Sequence, residues 1–138
     1  MAAEILVNID VNDLEQAITF YQNAVGLQLG RRLFGGSVAE LLGSSSKIYL
    51  LTKPAGTFIS SQTGQQRDYQ RHWTPVHLDF VVEDIHAAVK KAQAAGARLE
   101  SEIQTHVWGR IASLADPFGH GLCLLEFIGR GYDEVSEG

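Results

Sequence analysis

The chain has 138 residues, 45% of them hydrophobic, and a formal net charge of -5. That suits one compact domain able to bury its own core without a disulfide or metal staple. The single Cys123 rules out an internal disulfide and fits a reducing compartment. The start carries no cationic-then-apolar pattern, no apolar run approaches the roughly 18 residues of a spanning helix, and no Lys/Arg cluster is large enough to track a phosphate backbone. A cytoplasmic soluble protein with no membrane or nucleic-acid partner is expected.

Taken in order, Glu4 to Asp10 alternates as a strand, with Ile5, Val7 and Ile9 expected on the core face and Leu6, Asn8 and Asp10 on a wetter one. Asp13, with Gln16 three residues on, reads as a helix N-cap. Leu14, Ala17, Ile18, Tyr21 and Val25 recur at helical spacing, and Gly26 stops the helix. Strands are expected at Gln28 to Phe34, Ser37 to Leu42 and Lys47 to Thr52, separated by glycine- and serine-rich turns. Residues 54–75 are polar with no clear period, a mobile linker or a lid. Arg67, Tyr69 and Arg71 within it could close over a ligand site, with exposure to solvent as the plainer expectation.

From Val76 the pattern starts again. Val76 to Val82 reads as a buried strand, Asp84 as an N-cap, and Ile85, Ala88, Val89, Ala92 and Ala95 as the apolar face of a helix that Gly96 ends. Strands follow at Arg98 to Ile103, Trp108 to Ala115 and Gly121 to Ile128. Asp116-Pro117-Phe118-Gly119 carries the signature of a type I turn. Residues 129–138 are expected to fray as an acidic tail. Asp84-Ile85 falls on Asp13-Leu14, Asp79 on Asn8 and His77 on Leu6, so one strand–helix–three-strand unit is used twice: module one at 4–53, module two at 76–128. The expected class is α+β, with two curved, mostly antiparallel sheets around a hollow that suits a small molecule.

The runs LVNIDVNDLEQAITFYQNAVGLQL, VHLDFVVEDIHAAVKKAQAAGARL and VWGRIASLADPFGHGLCLLEF resemble the vicinal oxygen chelate superfamily, which includes glyoxalase I, bleomycin and fosfomycin resistance proteins and extradiol dioxygenases. The resemblance implies a homodimer. It also implies metal ligands at four positions, which here hold Leu6, Tyr49 (or Leu50), His77 and Cys123. Leucine has no lone pair, and neutral tyrosine is a poor ligand for a hard divalent ion. On that reading the family's metal site is lost: no cofactor is expected, with a divalent metal as the alternative.

The expected ligand-binding residues are Asn8, Tyr49, His77, Asp79, Trp73, Trp108, Arg110 and Cys123, with His77 also the candidate catalytic base. Each has a plainer reading. His77 and Asp79 can satisfy one another, Asp79 can pair with Arg110, Cys123 can be a small core hydrophobe, and Trp108 can pack in the core or an interface. His72, His86 and His120 read as surface residues. The reading that follows is a small-molecule binding protein akin to bleomycin resistance proteins; the alternative is a metal-dependent lyase, isomerase or dioxygenase.

Overall fold

The structure is a computed structural model that describes residues 2–72 and 74–138. The chain divides into two compact units, one ending at Gln70 and the other beginning at Arg71, so the connector is shared between them. Among the described residues no helix is long and apolar enough to cross a membrane.

The first unit holds β1 (Val7–Val11), α1 (Leu14–Val25), β2 (Gln28–Leu33), β3 (Val38–Leu42) and β4 (Ile48–Thr52). Its sheet runs β1-β4-β3-β2, with β1 parallel to β4 and the other pairs antiparallel. The caps are those the sequence announces. Asp13 accepts from the Gln16 N–H at 3.1 Å, and Gly26 closes α1 in the left-handed region at φ 74°. Ile9, Leu50 and Ala39 share one rung and therefore one face. Ala39 and Leu50 are fully buried, as is Ala17 of α1, with Ile18, Phe20 and Tyr21 at 4% exposure or less.

The second unit holds β5 (Leu78–Val81), α2 (Ile85–Ala94), β6 (Arg98–Leu99), β7 (Gln104–His106), β8 (Gly109–Ala115) and β9 (Gly121–Phe127). Its sheet runs β5-β9-β8-β6, and β7 also pairs with β8. Again the first strand is parallel to the last and the rest are antiparallel. Asp84 caps α2 by accepting from Ala87 N–H at 3.2 Å. Phe80, Leu124 and Ala112 occupy the rung matching Ile9, Leu50 and Ala39. The α+β class, the doubled module and the turn at Asp116 all stand. Asp116 Oδ1 accepts from the Phe118 and His120 amides at 2.8 and 2.9 Å, and Gly119 takes φ 86°.

Several expectations need correcting. The strand read from Glu4 starts at Val7, because its partner β4 begins only at Ile48; Ile5 is 68% exposed. The stretch read as a buried strand from Val76 starts at Leu78 and is an edge strand, with one sheet neighbour, β9. Val76 and Val81 are accordingly exposed. The strand read as 98–103 is broken. Leu99 pairs with Leu114 but Gln104 with Ile111, so two extra residues bulge out, and the amides of Glu100 and Ser101 share the Ser113 carbonyl. The tail read as frayed makes a 3-10 turn at Gly131–Val135, with Tyr132 packed on Phe127 at 4.8 Å and on Trp108 at 5.4 Å.

The connector is tied down within each unit. Residues 56–67 fold back on themselves through a Phe58–Gln66 bridge. Arg67 donates to Asp10 at 2.7 Å, and the Tyr69 hydroxyl donates to the Lys53 carbonyl at 2.6 Å. Burial raises the Tyr69 pKa, with a further push from Asp10. Arg71 donates twice to Glu100, at 2.7 and 2.9 Å. All three side chains engage polar partners; Arg67 and Tyr69 are half-buried, correcting the solvent-facing expectation for them, while Arg71 stays exposed as expected. His72 and His120 likewise contact each other, Nε2 to Nδ1 at 3.0 Å.

Candidate functional site

The site is built from a parity rule. Residues opposite one another on neighbouring strands share a face, so Asp79, Cys123 and Ser113 lie side by side across β5, β9 and β8. That face is opposite to the rung of Phe80, Leu124 and Ala112. His77, two residues before Asp79, joins the same side, and its Nε2 lies 3.3 Å from Asp79 Oδ1. The ligand-capable atoms of His77, Asp79 and Cys123 all fall within 4.8 Å of one another. The Ser113 hydroxyl is 3.7 Å from the Cys123 sulfur.

Beside this group lies a recess of about 250 Å³, lined by His77, Cys123, Ser113, Thr74, Arg71 and Glu100, among others. Glu100 stands on the bulge, which turns its side chain to meet Arg71. The pair fixes both ionisation states. Hydrogen bonding to Glu100 raises the Arg71 pKa, and hydrogen bonding from Arg71 lowers that of Glu100. Arg71 also donates to the carbonyls of His72 and Gly119. Its guanidinium passes over Gly121, where a Cβ would sit 2.7 Å from Nη2. The wall of the recess is therefore charged but internally matched.

Cys123 is 9% exposed, and its thiol pKa is raised, first by burial and then by the neighbouring Asp79 carboxylate, against a lowering contribution from Ser113. A thiol held protonated is a poor nucleophile, so a Cys–His catalytic pair has no support here.

The remaining expected residues lie elsewhere. Tyr49 occupies the matching rung of the first unit and donates to Glu40 at 3.1 Å. Asn8 faces it across the sheet and is exposed. Arg110 does not meet Asp79: it lies on the helix-facing side, paired with Glu126. Glu126 in turn accepts from the Ile85 amide at the start of α2 at 3.0 Å, and this bond leads the lowering of its pKa. Trp108 is stacked on His106 at 5.1 Å and 5°, and braced by Tyr132. Trp73 lies outside the described residues. Sequence reasoning missed Glu100, Ser113 and Thr74, and named Arg71 only as a connector residue able to close over the site. Ser113 had a signal, since it is two residues from Ile111 and Ala115 on one predicted strand. Glu100 had none, because only the bulge turns it.

A four-stranded and a five-stranded sheet built on the same β1-β4-β3-β2-type order, each carrying a helix and a parallel first-to-last strand contact, define a glyoxalase/bleomycin resistance/dioxygenase-like fold. Residues 6–125 match the model of a glyoxalase-like domain, and the chain belongs to that family. It is 30% identical over 114 residues to a Mycobacterium bovis protein described as uncharacterized, covering 80% of this chain and 74% of the relative. Among solved structures it is similar to a glyoxalase/bleomycin resistance protein/dioxygenase family enzyme from Burkholderia phytofirmans, with a TM-score of 0.70 at 20% identity over 89% of this chain and 97% of that one. A genomically encoded fosfomycin resistance protein, FosX, from Listeria monocytogenes gives 0.69 at 16% identity over 93% and 95%. At such identities these structures speak for the fold alone.

Proposed function

We propose that this protein binds a small molecule at the recess of its second unit, without the metal set usual in its family. The observation that carries this is the open station at His77, Asp79, Cys123 and Ser113. Polar groups converge there beside a recess whose other charges, Arg71 and Glu100, already neutralise each other. A few convergent polar groups in a concave site are what small ligands require, and about 250 Å³ suits a compact ligand or one end of a larger one. A cytoplasmic homodimer belongs to the same proposal; sedimentation velocity measures the dimer directly.

A thermal-shift screen with cationic aromatic drugs and small dicarbonyl compounds tests the reading. A ligand at 100 times its dissociation constant stabilises by about 2.7 kcal/mol. His77→Ala should remove the shift with little effect on the unliganded protein, because the His77 side chain is 50% exposed. A panel in which nothing shifts the melting point, or a shift that survives His77→Ala, would sink it.

A second reading, an enzyme using His77 as a proton-transferring base, is favoured by one observation: His77 Nε2 lies 3.3 Å from Asp79 Oδ1, near enough for the carboxylate to support a protonated imidazole. There His77→Ala would abolish turnover rather than weaken binding.

A further inference from the structure

We propose that His77, Asp79 and Cys123 form a site for a thiophilic divalent ion of the zinc class, complete within the second unit and built on a donor set unlike the family's own. Two of the family's four positions contribute nothing here. Leu6 has no donor, and the Tyr49 hydroxyl is spent on Glu40. Asp79, which stands at none of the four, supplies the third ligand instead.

The geometry for this is set by backbone. Asp79 and Cys123 are register partners on parallel strands, so main-chain bonding fixes their separation. His77 follows by the two-residue repeat of an extended chain. Zinc bonds of about 2.0–2.3 Å place tetrahedral donors roughly 3.3–3.8 Å apart. The His77–Asp79 contact is already 3.3 Å. The widest separation in the group, no more than 4.8 Å, needs to close by only about 1 Å, within the range of side-chain rotation.

The donor chemistry chooses the ion. Magnesium and calcium need six or more oxygen ligands, and one carboxylate cannot provide them. On binding, the ion displaces the Cys123 thiol proton to solvent, and the resulting thiolate, with an imidazole and a carboxylate, suits zinc or its cobalt surrogate. Three protein ligands leave a fourth position open, and the half-exposed His77 and the adjoining recess leave it accessible. Ser113, beside the sulfur, is a positioning residue for Cys123. The cation in the recess wall, Arg71, is matched by Glu100 and does not oppose a second positive charge.

Cobalt(II) titration of the metal-stripped full chain tests the site by spectroscopy, independently of any activity. One equivalent should produce a thiolate-to-cobalt charge-transfer band in the near ultraviolet, displaced by zinc but not by magnesium. Cys123→Ser should lose the band. Because Cys123 is buried, the more exposed His77→Ala and Asp79→Asn serve as folding-neutral variants, and each should weaken binding about tenfold or more. Tyr49→Phe should leave it unchanged. Absence of the band in the wild-type chain, its survival in Cys123→Ser, or unchanged affinity in both exposed variants overturns the proposal. The band and the organic-ligand screen are separate readouts, so either reading can fail while the other stands.

Discussion

At the same rung of their two sheets the units carry Asn8, Tyr49 and Glu40 in one and Asp79, Cys123 and Ser113 in the other. In the first, a strand bulge at Gly30 and Arg31 brings a cation directly over the rung, and Arg31 donates to Glu40 at 3.1 and 2.7 Å. The station is closed by its own charges. In the second, the bulge carries the anion, Glu100, and draws its cation, Arg71, from 29 residues away in the connector. The charge pair forms to one side, and the rung stays open. A repeated scaffold thus yields one plugged face and one usable face, decided by which partner of an ion pair sits on the bulge.

The comparison holds that the helix-facing layers are alike and only the opposite faces differ. Leu50→Ala and Leu124→Ala, on matching rungs and fully buried, should each cost about 2–5 kcal/mol in urea unfolding. A loss in one unit but not the other would break the equivalence. Gly30→Ala should cost about 1–3 kcal/mol, since its Cβ would meet Glu40 Oε1 at 2.9 Å, an atom that Arg31 holds. Gly121→Ala should cost a similar amount, because its Cβ would meet Arg71 Nη2 at 2.7 Å, on a guanidinium that Glu100 and the His72 and Gly119 carbonyls hold. Its further effect should be on ligand binding.

The closed station should also have an acid signature. Hydrogen bonding from Arg31, helped by Tyr49 and opposed by burial, lowers the Glu40 pKa from 4.5 to about 2. A depressed carboxylate stabilises the fold fully above its unfolded value and loses that contribution as pH falls. The loss should therefore span about pH 4.5 down to about pH 2. Glu40→Gln should flatten the dependence of melting temperature on pH within that window and leave ligand and metal binding intact. The smallest contrast is between Tyr49→Phe, losing one hydrogen bond at about 0.5–1.5 kcal/mol with no change in binding, and Ser113→Ala, costing no more but weakening whatever the open station holds.

Features decided within one turn or one strand were legible in the sequence. Asp13, Gly26, Asp84 and the Asp116 turn each act on amides a few residues away, and strand parity placed His77, Asp79 and Cys123 on one face. What needed contacts between distant residues was not legible. Arg71–Glu100 and Trp108–Tyr132 join segments whose separation follows no period. Arg110 misled for the same reason: its parity matched Glu126 across β8 and β9, while the sequence offered Asp79 as an equally acidic candidate. The bulges were hidden because each is a shift of register against a neighbouring strand, which one strand's own sequence does not display.

The two extra residues between Leu99 and Gln104 also make this spot a natural place for the chain to vary in length. Removing them would restore an unbroken strand without disturbing any rung of β8 and β9, yet would turn Glu100 away and strand the guanidinium of Arg71. Among related chains, a two-residue deletion here should therefore travel with a change at position 71. Length at one position and charge at another, 29 residues earlier, would be inherited as a single character.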